Sequence, residues 1–220
     1  MLKAVIFDHD GTLVDSEKMH YRIWRDVLSG FGVDFPEADY AKDYSGFPTR
    51  HNARTLVDAY QLDIGPEALF RLKEKGVNGL LARESFSLMP SVNEAVNACR
   101  QMDLSLAIAS GARRNEVANT LKVHGFTGMF DAVACSEDVA HPKPAPDVYL
   151  LALNSLGLAA EQCVAVEDSY SGLQSAKAAG LRCIVVPNAY SASHDFSHAD
   201  VIVQGLTGAI AAITEIRNRN

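Results

Sequence analysis

Two aspartates separated by a single residue follow an apolar segment near the start of the chain. The segment 4–7, Ala-Val-Ile-Phe, predicts a buried strand, and Asp8 and Asp10 come directly after it in the run Asp-His-Asp-Gly-Thr. Chemistry in open parallel α/β sheets collects just beyond the carboxyl ends of the strands. Two acids this close repel each other unless a cation or a shared proton intervenes. A magnesium site is one solution, because hard cations prefer oxygen ligands, and an ordinary turn after a strand is the alternative.

Three further segments place polar residues after a predicted strand or in the loop beyond one. Ser110 and Gly111 follow an apolar strand and precede a helix, a position that suits an anion. Lys143 lies in His-Pro-Lys-Pro-Ala-Pro, where the prolines stiffen the loop and hold one positive charge in place. Glu167 and Asp168 end another apolar strand and could complete a magnesium site with the first two aspartates. Each segment alone also has a plain structural reading, as an N-cap serine, a solvated lysine or a capping aspartate.

These signals need a parallel sheet to bring them to one edge, and the chain predicts such a sheet. From residue 89 onward, short apolar segments alternate with amphipathic helical ones, which is typical of parallel strands joined by right-handed crossovers. Strands are expected over 104–109, 132–135, 163–166, 182–186 and 201–203. A capping box at Ser91 and Glu94 is expected to open the first helix of this part.

Residues 16–88 predict helices and no convincing strand. Helix starts are indicated after Asp15-Ser16 and at Pro36, Pro48 and Pro66. We therefore expect an α/β protein with a core domain of residues 1–15 and 89–220 and an inserted all-helical domain of residues 16–88. The two connections between the domains, near 13–15 and 87–90, are natural hinges.

Composition limits the classes of function. The 220 residues carry a formal charge of −7 and are 48% apolar, so a good core is expected and no general attraction to nucleic acid or to an anionic membrane. The four cysteines are scattered without metal-ligand spacing, which is typical of reduced thiols. No apolar run approaches a membrane span, and the first strand leaves no room for a signal peptide. We expect a cytoplasmic protein that needs no partner chain and functions as a monomer.

The run Asp8-His9-Asp10-Gly11-Thr12 resembles the first motif, D-x-D-G-T, of the haloacid dehalogenase (HAD) superfamily. The segments containing Ser110-Gly111, Lys143-Pro144 and Glu167-Asp168 match the family's other three motifs in order, and the resemblance covers most of residues 1–187. It implies a Rossmann-like HAD core. Joint agreement of four weak signals makes a chance match implausible.

The resemblance implies a role for each matching residue. Asp8 resembles the nucleophile that becomes phosphorylated, and Asp10 resembles the general acid/base. Thr12, Ser110 and Gly111 resemble phosphate-binding residues, and Lys143 the lysine that stabilises charge. The metal site implied for Mg2+ comprises Asp8, Asp10, Glu167 and Asp168.

The implied activity is that of a Mg2+-dependent phosphatase that hydrolyses a small phosphate monoester, such as a sugar phosphate, through an aspartyl-phosphate. The alternative is a phosphosugar mutase of the same fold. Such an enzyme would return the phosphate to a second hydroxyl and would not release it. The second acid, Asp10, argues against a dehalogenase, because dehalogenation needs no proton for the leaving group. A phospho-receiver module and a binding-only HAD domain are the non-catalytic alternatives. The expected partner is a small phosphorylated metabolite.

The position of the inserted helices resembles the cap of the β-phosphoglucomutase and phosphoglycolate phosphatase group. Residues 15–20 resemble that group's D-[ST]-x-x-x-H stretch, and residues 45–50 its substrate loop. The resemblance implies that His20 lies near the domain interface and that Arg50 meets distal polar groups of the substrate. Either residue could instead be a solvated helix residue.

Two further positions are left open by the sequence. One of Lys73 and Lys75 is expected to reach the site from the cap, and the sequence does not choose between them. His9 stands where the family more often has an apolar residue. Its imidazole could tune the neighbouring aspartates, but we favour packing against the sheet.

Overall fold

A six-stranded sheet forms the centre of the larger part of the molecule. The structure is a computed structural model and describes residues 1–219. All the strand pairings in this sheet are parallel, in the order β5-β4-β1-β6-β7-β8. The strands are β1 (Ala4–Phe7), β4 (Ser105–Ala109), β5 (Ala132–Ala134), β6 (Cys163–Glu167), β7 (Arg182–Val185) and β8 (Val201–Ile202). The predicted α/β class with a Rossmann-like core is confirmed, and the predicted strands differ from the observed ones only at their ends.

The register of β1 explains why the predicted polar segments meet. Phe7 pairs with Ile108 of β4 on one side and with Val166 of β6 on the other, so these three neighbouring strands end close together. The polar residues that follow them in the sequence therefore emerge at the same sheet edge.

Helices cover both faces of the sheet. Val5 and Phe7 pack with residues of α5 (Val92–Gln101), α6 (Arg114–Val123) and α9 (Gly205–Asn218). Ala4 and Ile6 point to the opposite face and pack with α7 (Asp147–Leu156) and α8 (Tyr170–Ala178). Successive strand residues point to opposite faces, so a continuous apolar run gives a strand that is buried on both sides.

The inserted segment forms four helices with a hydrophobic cluster of their own. They are α1 (Glu17–Ser29), α2 (Glu37–Asp43), α3 (Thr49–Tyr60) and α4 (Pro66–Leu81). The cluster includes Trp24, Phe35, Leu56 and Leu69, all of which are buried. These helices therefore do not depend on the sheet for their own core.

The prediction of no strand in residues 16–88 was wrong at residues 87–88. β2 (Val14–Asp15) and β3 (Ser87–Leu88) form a two-residue antiparallel ribbon where the chain leaves and re-enters the sheet domain. Met89 extends the ribbon by donating its N–H to the carbonyl of Leu13 at 3.0 Å. Two residues carry too little periodicity to be recognised, and the strand forms because the two connections run side by side.

Two predicted caps were also wrong. Ser91 has a left-handed φ of 64° and makes no side-chain cap, so the predicted capping box with Glu94 does not form. Ser16 precedes α1 but does not cap it, because its hydroxyl donates to Asp10 Oδ1 at 2.6 Å. No helix within residues 1–219 is both long enough and apolar enough to cross a membrane.

Candidate active site

A cavity of about 330 Å³ lies between the carboxyl edge of the sheet and the inserted helices. The sheet domain contributes Asp8, Asp10, Gly111 and Lys143 to its lining, and the inserted helices contribute His20, Arg50 and Lys73. Seven of the residues singled out from the sequence therefore line one cavity.

Lys143 connects two buried acids at the base of this cavity. Its Nζ donates to Asp8 Oδ1 at 2.5 Å and to Glu167 Oε1 at 2.6 Å, and the Tyr149 hydroxyl donates to the same Glu167 oxygen at 2.7 Å. Burial lowers the pKa of Lys143, but Asp8 and Glu167 outweigh it, and the pKa is raised above its ordinary value. Burial raises the pKa of Asp8 to about 7, although Lys143 opposes this change.

Three buried carboxylates fit a divalent cation. Oxygen atoms of Asp8, Glu167 and Asp168 all lie within 4.8 Å of one another. Burial, Asp8 and Glu167 together raise the pKa of Asp168 well above its ordinary value. Lys143 supplies a single positive charge against three carboxyl groups, which is too little to balance them if all are ionised. An oxygen-rich pocket of this kind suits Mg2+.

The backbone approaches these acids closely at two glycines, one in the loop after β1 and one in α8. Gly11 has φ +78°, and a Cβ there would lie 2.3 Å from Asp168 Oδ2. A Cβ on Gly172 would lie 2.0 Å from the Glu167 carboxylate. A larger residue at either glycine would displace a carboxylate of the cluster.

Glu167 has both oxygens engaged within the protein. Besides Lys143 and Tyr149 on Oε1, its Oε2 accepts the N–H of Asp168 at 3.2 Å and the Ser169 hydroxyl at 3.3 Å. In this arrangement Glu167 anchors Lys143, so its predicted role as a metal ligand stays a prediction.

Asp10 stands beside the cluster with a different environment. Its Oδ1 accepts the Ser16 hydroxyl at 2.6 Å and lies 3.5 Å from both His9 Nδ1 and His20 Nε2. Burial would raise the pKa of Asp10, but the two histidines outweigh it and hold the pKa well below its ordinary value. The pKa values of Asp8 and Asp10, which are separated by a single residue, are therefore shifted in opposite directions.

His9 is completely buried and fits both interpretations of the sequence. Its Nε2 lies 2.9 Å from Thr120 Oγ1 of α6, which agrees with packing. Its Nδ1 faces Asp10, and Asp10 raises the pKa of His9 despite the opposing effect of burial. The side chain is therefore packed and also electrostatically linked to Asp10.

The predicted phosphate-binding residues differ in the hydrogen bonds that they already make within the protein. The Ser110 side chain is buried, and its Oγ accepts the N–H of Ala112 at 2.9 Å. The Thr12 hydroxyl is directed to Asp168 Oδ1 at 3.5 Å. Gly111 lines the cavity.

Lys73, and not Lys75, is the α4 lysine that lines the cavity. Its side chain is 1% exposed and lines the cavity, with Nζ 2.8 Å from His20 Nδ1, whereas Lys75 is exposed. Burial lowers the pKa of Lys73 to about 8, against the opposing effect of Glu116 and Glu17. His20, on α1, lies between Lys73 of α4 and Asp10, with Nε2 3.5 Å from Asp10 Oδ1.

Arg50 lies at the outer part of the cavity and is already paired. Its guanidinium forms an ion pair with Glu67 and stacks on the Phe70 ring, with Cζ 3.9 Å from the ring centroid. The side chain is 55% exposed, so the ion pair is a weak restraint.

Sequence reasoning missed several residues at the site. Asn188 donates to Asp168 Oδ2 at 2.7 Å and to the carbonyl of Gly11 at 3.2 Å, and no pattern near it indicated this role. Glu17 accepts the Tyr40 hydroxyl at 2.5 Å and the Gly46 N–H at 3.3 Å. Glu17 stands within the stretch that was compared with the family, but nothing in the sequence indicated that it is buried.

Side chains from both parts of the molecule connect across the cavity mouth. Arg113, just before α6, forms ion pairs with Glu74 of α4 and with Glu137. The amide of Asn115 donates to Asn78 Oδ1 of α4 at 2.9 Å. On the other side, the Ser171 hydroxyl donates to the Gly46 carbonyl. These contacts join the inserted helices to the rest of the molecule around the cavity.

Comparison with known proteins places the chain in a family. The family model described as haloacid dehalogenase-like hydrolase matches residues 5–186. The chain is 35% identical to Protein CbbY of Rhodobacter capsulatus over 98% of this chain and 99% of that protein. It is 35% identical to the fructose-1-phosphate phosphatase YqaB of Escherichia coli K12, over 83% and 95% of the two chains. It is 36% identical to hexitol phosphatase B of the same organism, over 93% and 92%.

Solved structures agree with this placement. CbbY from Rhodobacter sphaeroides in complex with phosphate superposes with a TM-score of 0.82 and 29% identity, covering 94% of this chain and 95% of that one. A mutant of the same protein, in complex with xylulose-(1,5)bisphosphate, gives the same values. The β-phosphoglucomutase of Clostridium difficile has a TM-score of 0.85 at 19% identity over 100% and 98% of the chains, which shows the shared fold alone.

The chain belongs to the haloacid dehalogenase-like hydrolases. Within that family it is an enzyme of the phosphatase type, as the sequence predicted.

The lowered pKa of Lys73 predicts a pH dependence of stability. Between pH 8 and pH 10.5 the unfolded chain holds a proton that the folded chain has released. Stability therefore rises with pH across this window, by up to about 3 kcal/mol from this group. The substitution Lys73→Met removes this contribution. Urea denaturation at pH 8 and pH 10.5 should show the unfolding free energy of the wild type rising relative to that of Lys73→Met.

Lys75→Met is the matched control, because Lys75 stands on the same helix but is exposed. The difference in unfolding free energy between Lys75→Met and the wild type should be the same at both pH values. A constant difference for Lys73→Met would show that Lys73 is not a desolvated cation.

Proposed function

We propose that the chain is a Mg2+-dependent phosphatase that hydrolyses small sugar phosphates through a phosphorylated Asp8. The observation that carries this proposal is the buried Lys143, held between Asp8 and Glu167 where the sheet edge lines the cavity. A fixed ammonium beside a buried carboxylate suits a nucleophile that must approach a negatively charged phosphoryl group.

In the first step, an Asp8 oxygen attacks phosphorus, and the bond between phosphorus and the ester oxygen breaks. Lys143 Nζ and the N–H groups of the Ser110–Gly111 turn spread the charge on the transferring phosphoryl oxygens. In the second step, water attacks the phosphorus of the phosphorylated Asp8, which restores the carboxylate and releases inorganic phosphate.

Asp10 serves as the acid and base in the two steps. The ester oxygen takes a proton as it leaves, and Asp10 later accepts a proton from the attacking water. Asp10 is ionised at rest because its pKa is held low. Phosphate monoesters have a second pKa of about 6, so a substrate that binds as the monoanion brings a proton, which Asp10 accepts and then donates to the leaving ester oxygen. His9 Nδ1 and His20 Nε2 each lie 3.5 Å from Asp10 Oδ1, so both rings are placed to interact with a carboxylate that gains and loses this proton.

Asp8 and Asp168 are the residues that we propose to hold Mg2+, with Glu167 beside them and the Asp10 backbone carbonyl on the same loop. The bound cation would supply positive charge that reduces repulsion between the phosphate and the carboxylates. The raised pKa values of Asp8 and Asp168 support this assignment, because burial and then the neighbouring acids disfavour their charged forms, which a bound cation would stabilise.

We further propose that residues 16–88 act as a cap domain that opens at the two-residue ribbon of β2 and β3. Opening would break the Arg113–Glu74 ion pair and the Ser171–Gly46 hydrogen bond. Closure excludes water from the site and brings Lys73 and His20 to the substrate. The predictions of a monomer and of a cytoplasmic location remain predictions.

The assignment to sugar phosphates is supported by the names of the relatives. A fructose-1-phosphate phosphatase and a hexitol phosphatase match most of the chain at 35% and 36% identity. The test is phosphate release from a panel of hexose phosphates, phosphoglycolate and nucleotides, with Mg2+, with Ca2+ and with a chelator. We expect release from sugar phosphates with Mg2+, little with Ca2+, and none with the chelator, because tight octahedral coordination suits the transfer.

The same panel, followed by NMR, separates a phosphatase from a mutase. Inorganic phosphate as the product supports the proposal. A phosphorylated isomer without free phosphate would replace the phosphatase with a mutase. A folded protein that produces neither would contradict both.

The acid/base role of Asp10 predicts an effect that depends on the leaving group. Asp10→Asn should slow hydrolysis of a sugar phosphate by about 10²–10⁴-fold, the usual contribution of general acid–base catalysis. Phosphorylation of Asp8 by p-nitrophenyl phosphate should be slowed much less, because nitrophenolate leaves without a proton. Rapid-quench measurement of phosphoenzyme formation from the two esters checks this. Equal slowing of both would contradict the role, and Asp63→Asn, an exposed change, is the control.

A further inference from the structure

The loop after β7 forms a set of hydrogen bonds around Asn188. The side-chain oxygen Oδ1 of Asn188 accepts the N–H of Tyr190 at 2.8 Å and the N–H of Ser191 at 3.2 Å. The Asn188 N–H donates to the Ser191 hydroxyl at 3.0 Å, and Ser191 is completely buried. Because Oδ1 accepts two N–H groups, the orientation of the amide is defined, and its Nδ2 is directed to acceptors outside this loop.

The Nδ2 group of Asn188 contacts two other loops at the candidate active site. It donates to Asp168 Oδ2 at 2.7 Å, after β6, and to the carbonyl of Gly11 at 3.2 Å, after β1. The other oxygen of Asp168 accepts the Thr12 hydroxyl at the longer distance of 3.5 Å. Asp168 is 2% exposed, so hydrogen bonds from the protein, and not bulk water, orient its carboxylate. Asn188 makes the shorter of these two bonds.

Tyr190, two residues further along the same loop, contacts the inserted helices. Its hydroxyl donates to Oε1 of Glu37, the first residue of α2, at 2.5 Å. Its ring meets the Tyr40 ring edge-on, with centroids 6.1 Å apart and an angle of 75° between the planes. Among the described, partly buried apolar residues that pack against the hydrophobic cluster of the inserted helices, Tyr190 is the one that comes from the sheet domain. One short loop therefore binds Asp168 and the inserted helices at the same time.

We propose that Asn188 is a positioning residue, which orients Asp168 for Mg2+, and that Tyr190 makes this effect depend on the position of the inserted helices. A ligand group that is held in place before binding loses less freedom when the cation binds, so the affinity is higher. This inference rests on the proposed Mg2+ site, since it assigns a role to a residue beside that site.

The contacts of Tyr190 explain how the two parts of the molecule are coupled. Movement of the inserted helices would separate Tyr190 from Tyr40 and Glu37. The loop would then keep only its contacts on the sheet side, so Asn188 would hold Asp168 less firmly and the affinity for the cation would fall. Energetic coupling between two sites is reciprocal. Cation binding therefore favours the arrangement in which Tyr190 contacts the inserted helices.

Calorimetric titration with Mg2+ in the absence of substrate measures the positioning effect separately from turnover. Asn188→Ala should raise the dissociation constant of Mg2+ by about tenfold or more, because residues that orient a metal ligand typically contribute about 10–100-fold to affinity. Asn154→Ala, an exposed change on α7, is the control and should keep the wild-type constant. Circular dichroism and thermal melting without Mg2+ confirm that each variant folds.

Tyr190→Ala tests the coupling, because it leaves Asn188 and Asp168 in place and removes the contacts with the inserted helices. It should raise the dissociation constant of Mg2+ by about fivefold or more. Tyr60→Ala is the matched control, since Tyr60 of α3 also packs edge-on against a ring of the same hydrophobic cluster, that of Phe35, with centroids 6.1 Å apart. Tyr60→Ala should lower stability and leave the affinity for Mg2+ unchanged. Hydrogen exchange measures the reverse effect: Mg2+ should slow exchange in α2 of the wild type, and much less in Asn188→Ala.

The possible results separate this inference from the phosphatase proposal. An unchanged affinity for Mg2+ in either folded variant, Asn188→Ala or Tyr190→Ala, overturns the inference, and so does a wild type that binds no Mg2+. Equal slowing of exchange in the wild type and in Asn188→Ala also overturns it. Weaker Mg2+ binding in both variants, with no phosphate released from any ester of the panel, would leave the inference standing and reject the phosphatase. Mg2+-dependent phosphate release with unchanged affinities would do the opposite.

Discussion

Replacing Asp8 by asparagine should lower the rate of phosphate release by about 10⁴-fold or more, a loss typical of removing a covalent nucleophile. Asparagine has nearly the same shape as aspartate but does not form the acyl phosphate. Lys143 keeps its 2.6 Å bond to Glu167 in the variant, so the site should stay assembled. The measurement is steady-state phosphate release with saturating Mg2+, together with acid-quenched phosphoenzyme formation.

The stability of the variant distinguishes a lost nucleophile from a lost fold. Asp8 is a buried acid with a raised pKa, so its replacement by a neutral amide removes a desolvated charge and should not unfold the protein. Asp63→Asn, an exposed change of the same chemistry, should keep full activity. Activity of Asp8→Asn within tenfold of the wild type would reject Asp8 as the nucleophile.

The centre of the sheet could be predicted because three of its strands, β1, β4 and β6, are marked twice in the sequence. An apolar run such as Val164–Val166 indicates the strand, and the polar pair that follows indicates its carboxyl end. Parallel neighbours then bring those ends together, so the meeting of Asp8, Lys143 and Glu167 follows from topology. The order of the four motifs along the chain predicted the same meeting of these residues.

The part of the cavity that Glu17, Lys73 and Glu116 line could not be predicted in the same way. Glu17 and Glu116 stand on amphipathic helices, where a glutamate is usually solvated, yet both are buried, and Glu17 contacts Tyr40 and Gly46. The choice between Lys73 and Lys75 depends on a difference of two positions on α4, and therefore on how that helix is rotated against its neighbours. Helical periodicity indicates an apolar face, but it does not indicate which polar residue at its border faces the cavity.

Asn188 marks another limit of sequence reasoning. It follows β7 in a segment without a recognisable motif, yet it connects Asp168 to the carbonyl of Gly11. A side-chain amide that bridges two loops far apart in the chain has no local signature, because its partners lie 20 and 177 residues away. Ser16 is a similar case, since a residue in a typical capping position instead donates to Asp10.

Replacing Lys143 by methionine should affect both activity and stability. The change removes the ammonium that we propose to stabilise the transferring phosphoryl group, so kcat should fall by about 10²–10³-fold or more. It also leaves Asp8 and Glu167 buried without their cation. Breaking one side of a buried ion pair typically costs about 3–5 kcal/mol, so the unfolding free energy in urea should fall by that order. Lys122→Met, an exposed change, is the control and should have no such effect.

The loss of stability should depend on pH, and its direction identifies the cause. Lys143 lowers the pKa of Asp8, so its removal raises that pKa above the present value of about 7. A folded chain that binds this proton more tightly than the unfolded chain becomes less stable as pH rises from the unfolded pKa towards the folded one. The gap between the wild type and Lys143→Met should therefore be smallest near pH 5 and widen towards pH 8. A gap that is independent of pH would indicate lost packing around the lysine chain, and in that case Lys143 would not be acting as the counter-charge of Asp8.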